Sequence, residues 1–195
     1  MKSRVDERVV ESLISLGVVP SEDKDIYVYG VGQGIVLLVN LISVIIIGLL
    51  LGMVWQSLVF ILAYIPIRSY AGGYHASTQL RCYILSNAVV VAVLIAIRLV
   101  PWNGYACLSV TIFSIITIIL LAPVEDLNKP LREIEIKVFR KLTRIILVIL
   151  LVIALILWYF AKQFSICVII ALLVVAIMLI LGVIKNVRCK HTDNG

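Results

Sequence analysis

Apolar residues run along this chain in long blocks broken by short polar interruptions, and only two stretches depart from that pattern. In the first, Val5, Val9, Val10, Leu13 and Ile14 recur at the spacing of one helical face while Arg4, Glu7, Arg8 and Glu11 take the other. That pattern predicts an amphipathic helix in the membrane interface, set against lipid or packed on the cytosolic ends of the spans, within a cytosolic segment over residues 1–25. From Gly30 to Ile67 the sequence is almost uninterrupted apolar, too long for one crossing, and the stretch between Gly48 and Gly52 offers a turn. Spans are expected near 31–50 and 53–71, the second bent by Pro66 and stopped by Gly72 and Gly73. A third is expected near 83–100, followed by a turn at Pro101 to Tyr105 with interfacial aromatics, and a fourth near 106–122. Pro123 then opens the second departure, a charged loop over 123–144 long enough for an amphipathic helix. Spans near 145–161 and 164–184 complete the set, joined at Lys162 and Gln163. The expected fold class is all-α and polytopic, with about six transmembrane helices and one interfacial helix, forming a single integral membrane domain over residues 1–195.

Composition agrees with that pattern. Of 195 residues, 63% are hydrophobic and the mean hydropathy is +1.15, beyond what a soluble core can bury. The net charge of +6 could suggest nucleic acid, but its distribution argues for topology instead. Fifteen Lys and Arg residues fall in the N-terminal segment, the 68–82 loop, the 123–144 loop and the tail, against only Arg98 and Lys162 on the other side. The positive-inside rule therefore expects a multi-pass protein of the cell membrane with both termini and the 68–82 loop in the cytosol. The acidic residues Asp6, Glu7, Glu11, Glu22, Asp23 and Asp25 interrupt the start of the chain, which does not read as a cleavable signal peptide. The cysteines at 82, 107, 167 and 189 are scattered and form neither a CxxC pair nor a disulfide framework.

The candidate chemistry lies between the second and third spans. There the chain reads Arg68-Ser69-Tyr70-Ala71-Gly72-Gly73-Tyr74-His75-Ala76-Ser77-Thr78-Gln79-Leu80-Arg81-Cys82. A thiol becomes a strong nucleophile when an imidazole or a cation favours the thiolate, and His75, Arg68 and Arg81 supply those groups beside Cys82. Gly72 and Gly73 could present backbone N–H groups to a developing oxyanion. A histidine at a span end is often a structural residue, and a cysteine in a span is often small apolar filler. Their shared loop, the flanking arginines and the paired glycines favour catalysis.

Absences narrow the chemistry further. No Asp or Glu occurs from Ile26 to Val124, nor in the last two spans, which excludes an intramembrane carboxylate dyad. No H-E-x-x-H or G-x-S-x-G motif occurs, and two histidines with dispersed cysteines give no evident zinc site, so neither metal nor cofactor is expected. Gln79 or Asn87 could orient His75, Glu125 or Asp126 could approach from the next loop on the same side, or the unit could be a plain dyad.

This loop resembles that of the AgrB family, membrane endopeptidases of Gram-positive quorum sensing that mature an autoinducing peptide. The specific part of the likeness is Arg68, Gly72-Gly73-Tyr74-His75-Ala76 and, seven residues past the histidine, Cys82. Pro123 and Asn128-Lys129-Pro130-Leu131 add to it, and the hydropathy pattern agrees over nearly the whole chain. The resemblance implies a propeptide substrate of the AgrD type, with an amphipathic leader, a central cysteine and an acidic tail. It implies His75 as general base and Cys82 as the nucleophile that attacks before the tail, giving a thioester that the substrate's own thiol resolves to a thiolactone. It also implies a homodimer. Arg68, Gly72, Gly73 and Gln79 are candidates for oxyanion stabilisation or substrate positioning. Lys129, Arg132, Lys137, Arg140 and Lys141 are candidates for holding the acidic tail, although ordinary positive-inside charge explains them too. The expected partners are thus the propeptide, membrane lipid and a second copy of the chain, with no nucleic acid. The alternatives are a small transporter, disfavoured by spans so poor in polar residues, and a non-catalytic scaffold, which would tolerate loss of Cys82.

Overall fold

A computed structural model describes residues 4–15, 20, 23–74, 79–125 and 132–192. Seven helices follow in order: α1 (Arg4–Ser15), α2 (Lys24–Leu50), α3 (Val54–Ala71), α4 (Gln79–Leu99), α5 (Gly104–Leu121), α6 (Glu133–Phe160) and α7 (Lys162–Thr192). Among the described residues there is no strand, only an isolated parallel bridge between Gly72 and Val124. The chain is an all-α polytopic membrane protein. Among the described residues five helices are long and apolar enough to cross a bilayer, namely α2, α4 (over Leu80–Leu99), α5, α6 and α7 (over Lys162–Arg188). The sixth expected span, α3, is not among them. Its 18 residues include Gln56, Ser57, Tyr64, Pro66 and Arg68, polar content that a lipid-surrounded helix would carry at a cost but a packed one can satisfy.

The chain divides into two compact units, residues 1–46 and 47–195. In the first, α1 is the amphipathic helix read from the sequence, and an ion pair of 2.8 Å joins Glu11 to Lys24 at the start of α2. That hydrogen bond, and then the ammonium charge, hold the Glu11 carboxyl below its ordinary range.

The second unit is organised around α7. In its most apolar stretch 72% of the residues are buried, against 22% in each of α4, α5 and α6, so α7 is the hub. Helices α3, α5 and α6 pack directly on it, and α3 also packs on α6. Their buried positions form stripes at helical spacing, Ser57, Phe60, Ala63, Ile67 and Ala71 on α3 and Thr143, Leu147, Leu150 and Ala154 on α6. The opposite faces leave Leu62, Leu120 and Leu155 exposed, as suits helices whose solvent is hydrocarbon. A buried bond of 2.7 Å from the Ser165 hydroxyl to the Ala154 carbonyl ties α7 to α6, because a polar group surrounded by apolar neighbours must find a partner.

Two connections differ from the sequence expectation. The charged stretch from Glu133 onward is continuous with the following span as the single 28-residue helix α6, since nothing in 133–160 breaks it. Only Ala161 separates α6 from α7, and α7 starts at Lys162. The Gly52 turn was legible: with φ +66 it takes a backbone form that glycine adopts without strain, and the Met53 N–H closes back on the Gly48 carbonyl at 2.7 Å.

Candidate functional site

Helix α3 stops at Ala71 because Gly72, at φ +72, turns the chain out of the helical path while its N–H still caps the Arg68 carbonyl at 3.3 Å. Residues 72–74 then run between two other segments. On one side the Val124 N–H donates to the Ala71 carbonyl (2.9 Å) and the Gly73 N–H to the Val124 carbonyl (3.2 Å), which is the parallel bridge. On the other side the Tyr74 N–H donates to the Met178 carbonyl of α7 at 2.9 Å. The Asn186 amide, two turns further along α7, donates to the Glu125 carbonyl at 2.9 Å and so ties the Val124 segment to the same helix. Three backbone segments are thus clamped at one end of the second unit.

Arg68 completes the clamp. One guanidinium nitrogen, Nη2, donates to the Tyr74 carbonyl, while Nη1 is buried and has no partner among the described residues. Tyr64, one turn earlier on α3, lies beside the guanidinium and within electrostatic range of the Cys82 thiol. Lys185 sets its ammonium 5.4 Å from the centre of the Tyr74 ring, a cation over a π face. Cys82 itself stands exposed in the first turn of α4, next to exposed Arg81.

The remaining candidates are distributed as follows. His75 and Lys129 lie outside the described residues, as does Asp126. Gln79 begins α4, with its side chain also outside them. Both glycine N–H groups are engaged by carbonyls, whereas Arg68 Nη1 is a donor without a partner among the described residues. Asn87 donates to the Tyr83 carbonyl at 2.9 Å, and its buried Oδ1 has no partner among the described residues. Arg132 precedes α6, where its N–H donates to the Glu135 carboxylate at 2.8 Å. Lys137, Arg140 and Lys141 are exposed on the first turns of α6. A cavity of about 440 Å³ lies elsewhere, lined by Gly52, Gln56, Arg98 and Gln163 where the other ends of the helices meet. Among the described residues no group of three or more His, Cys, Asp or Glu side chains could hold a metal ion.

The sequence reading missed α7 as the floor of this site, with Met178, Gly182, Lys185 and Asn186. One signal was available. Gly182 is an isolated glycine in a strongly apolar helix, and such a glycine often marks a close backbone approach.

Fold and site together define a helical multi-pass membrane protein with an arginine-clamped, glycine-turned loop after α3 and an exposed cysteine in the first turn of α4. The profile of accessory gene regulator B matches residues 7–180, and the chain belongs to this AgrB family. The chain is 33% identical over 95 residues to "Putative AgrB-like protein 1" of Clostridium perfringens (strain 13 / Type A), covering 49% of this chain and 51% of that one. It is 26% identical over 142 residues to "Putative AgrB-like protein 2" of the same strain, covering 68% and 65% respectively. A third relative, "Putative AgrB-like protein" of strain SM101 / Type A, is 30% identical over 122 residues, or 57% and 56%. The matched stretches thus span between about half and two thirds of these relatives' lengths. No solved structure matches.

Proposed function

We propose that the chain is a cysteine endopeptidase of the cell membrane that removes the acidic tail of an AgrD-like propeptide and closes the remaining segment into a thiolactone. The observation that carries this reading is the clamp that fixes Tyr74, the residue before His75, together with an exposed Cys82 within electrostatic range of Tyr64, which lies beside Arg68. In this scheme His75 takes the Cys82 proton, and the thiolate attacks the carbonyl before the tail. The tail amine leaves with the proton from His75, and a thioester to Cys82 remains. The propeptide's own thiol then attacks that thioester, forming the thiolactone and freeing Cys82. Arg68 Nη1 is the donor for the negative charge that develops on the carbonyl oxygen, a charge-assisted bond in a partly buried setting. Gly72 and Gly73 position the loop rather than donate.

The energetics impose a condition on this cycle. Exchanging one thioester for another conserves bond type, but making a thioester from an amide is uphill, so removal of tail or product must drive turnover. Lys137, Arg140 and Lys141, with Lys129 and Arg132 before them, form the basic stretch that would hold an acidic tail near the site. The site faces the cytosol, as do both termini, on the strength of the basic asymmetry. The working unit is a homodimer, as the family likeness implies.

His75→Ala and Cys82→Ala test the proposal. Each should insert in the membrane and abolish release of the propeptide tail. Normal tail release by Cys82→Ala would refute it, and would favour the non-catalytic scaffold.

A further inference from the structure

The loop that leads into His75 is seated on α7 by an unusual contact. Tyr74 donates its N–H to Met178, whose carbonyl lies inside a helix, where such groups are ordinarily covered. In an α-helix each Cα–Cβ bond tilts toward the N-terminus, so the side chain four residues on overlies the carbonyl of residue i. The residue four past Met178 is Gly182. With no side chain there, the second lone pair of the Met178 carbonyl is open.

The fit is tight. A Cβ added at Gly182 would stand 2.8 Å from the Gly73 carbonyl carbon, 2.8 Å from the Tyr74 nitrogen and 2.9 Å from the Gly73 Cα. These are backbone atoms, which cannot swing aside as a side chain would. From the other side, a Cβ on Gly73 would stand 2.9 Å from the same Met178 oxygen. Two glycines therefore face each other across one carbonyl, and Lys185, one turn beyond, holds the Tyr74 ring.

We infer that Gly182 is a positioning residue for the cleavage reaction: it opens a notch in α7 that receives the Gly73–Tyr74 backbone and thereby fixes the chain immediately before His75. The inference rests on the proposed His75 and Cys82 assignment. The geometry gives it a definite route. Tyr74 is held at its N–H by Met178, at its carbonyl by Arg68 and at its ring by Lys185, and the Tyr74 carbonyl belongs to the planar peptide unit that joins His75. Filling the notch displaces the preceding Gly73–Tyr74 peptide unit by several tenths of an ångström, and the Tyr74 carbonyl with it. A dyad that needs hydrogen-bond distance does not tolerate such a shift.

The test uses the full chain in liposomes and iodoacetamide as the probe, reading alkylation of Cys82 at pH 7 by mass spectrometry alongside tail release from an AgrD-type propeptide. Gly182→Ala should alkylate at the slow rate of His75→Ala and lower kcat by about 100-fold with KM within about twofold, since displaced machinery rather than weakened binding is at fault. Leu181→Ala, at a neighbouring exposed position, should match the wild type in both readouts. Should Gly182→Ala fail to insert, Lys185→Met carries the test. It should slow both readouts by severalfold, and Lys185→Arg should restore them. Wild-type alkylation and turnover in Gly182→Ala, beside a slow His75→Ala, would overturn the notch alone. Lost turnover with wild-type alkylation would overturn it too, leaving Gly182 a packing residue. Wild-type alkylation in His75→Ala itself would overturn the dyad on which the inference rests.

Discussion

Replacing Gly73 by alanine should disable processing while leaving the protein inserted. Gly73 sits at φ +114, a backbone form that L residues rarely adopt, which costs about 1–3 kcal/mol in an alanine. The new Cβ would also stand 2.7 Å from Arg68 Nη1 and 2.9 Å from the Met178 oxygen, so relaxation in place is blocked. The loop must leave its seat. Doing so breaks the bonds from Gly73 to Val124 and from Tyr74 to Met178, each worth about 1 kcal/mol net, with a further cost of about 1–3 kcal/mol for any buried group left unpaired. The local cost of that departure is roughly 3–5 kcal/mol, confined to the loop and its partners. It is too small and too local to expel spans held by α7 packing. Gly73→Ala should therefore reach the membrane at wild-type level, release the propeptide tail at least about 100-fold more slowly, and expose the 72–74 segment to limited proteolysis. Near-normal cleavage by this variant would refute the clamp as a catalytic requirement.

Arg68→Lys should lower kcat for tail release by about 100-fold, because an ammonium cannot serve the Tyr74 carbonyl and an oxyanion at once as a guanidinium fork does; a change in KM alone would refute that role. Changing Lys137, Arg140 and Lys141 together to Gln should raise KM severalfold and flatten its salt dependence with kcat unchanged, whereas an unaltered KM would leave those residues as topological charge. Membrane-impermeant thiol reagents should label Cys82 in inverted vesicles and spare it in intact cells, and labelling from outside would reverse the proposed topology.

Much of the fold was legible because a bilayer imposes long apolar runs, and glycines stop helices in ways sequence shows directly. The turn at Gly52, the amphipathic α1 and the end of α3 at Ala71 all follow from local chemistry. The status of α3 did not, because Arg68 and Gln56 look affordable in a run that also holds Leu58 to Ile61, and only its packing on α6 and α7 shows where they go. The merged α6 did not either, because the charge in 123–144 predicts a loop with room for a separate amphipathic helix, whereas nothing from Glu133 onward breaks the helix from the span that follows. For the site, Arg68, Gly72, Gly73 and Cys82 stood in one motif. Met178 and Asn186 could not be found that way, because Met178 contributes a carbonyl and Asn186 reaches a carbonyl 61 positions away. Backbone contacts between distant segments leave almost no mark on residue type.

The central claim is that Cys82 carries the acyl group between cleavage and ring closure. The most direct measurement offers the wild-type protein an AgrD-type propeptide whose own cysteine is changed to alanine, so that nothing can resolve the thioester. Tail release should then occur once per site and stall, and mass spectrometry at short times should find the leader and ring segment attached to Cys82 through a hydroxylamine-sensitive bond. Cys82→Ala should never gain that mass. Continued rapid turnover of the altered propeptide with no adduct on Cys82 would contradict the claim and point to direct hydrolysis.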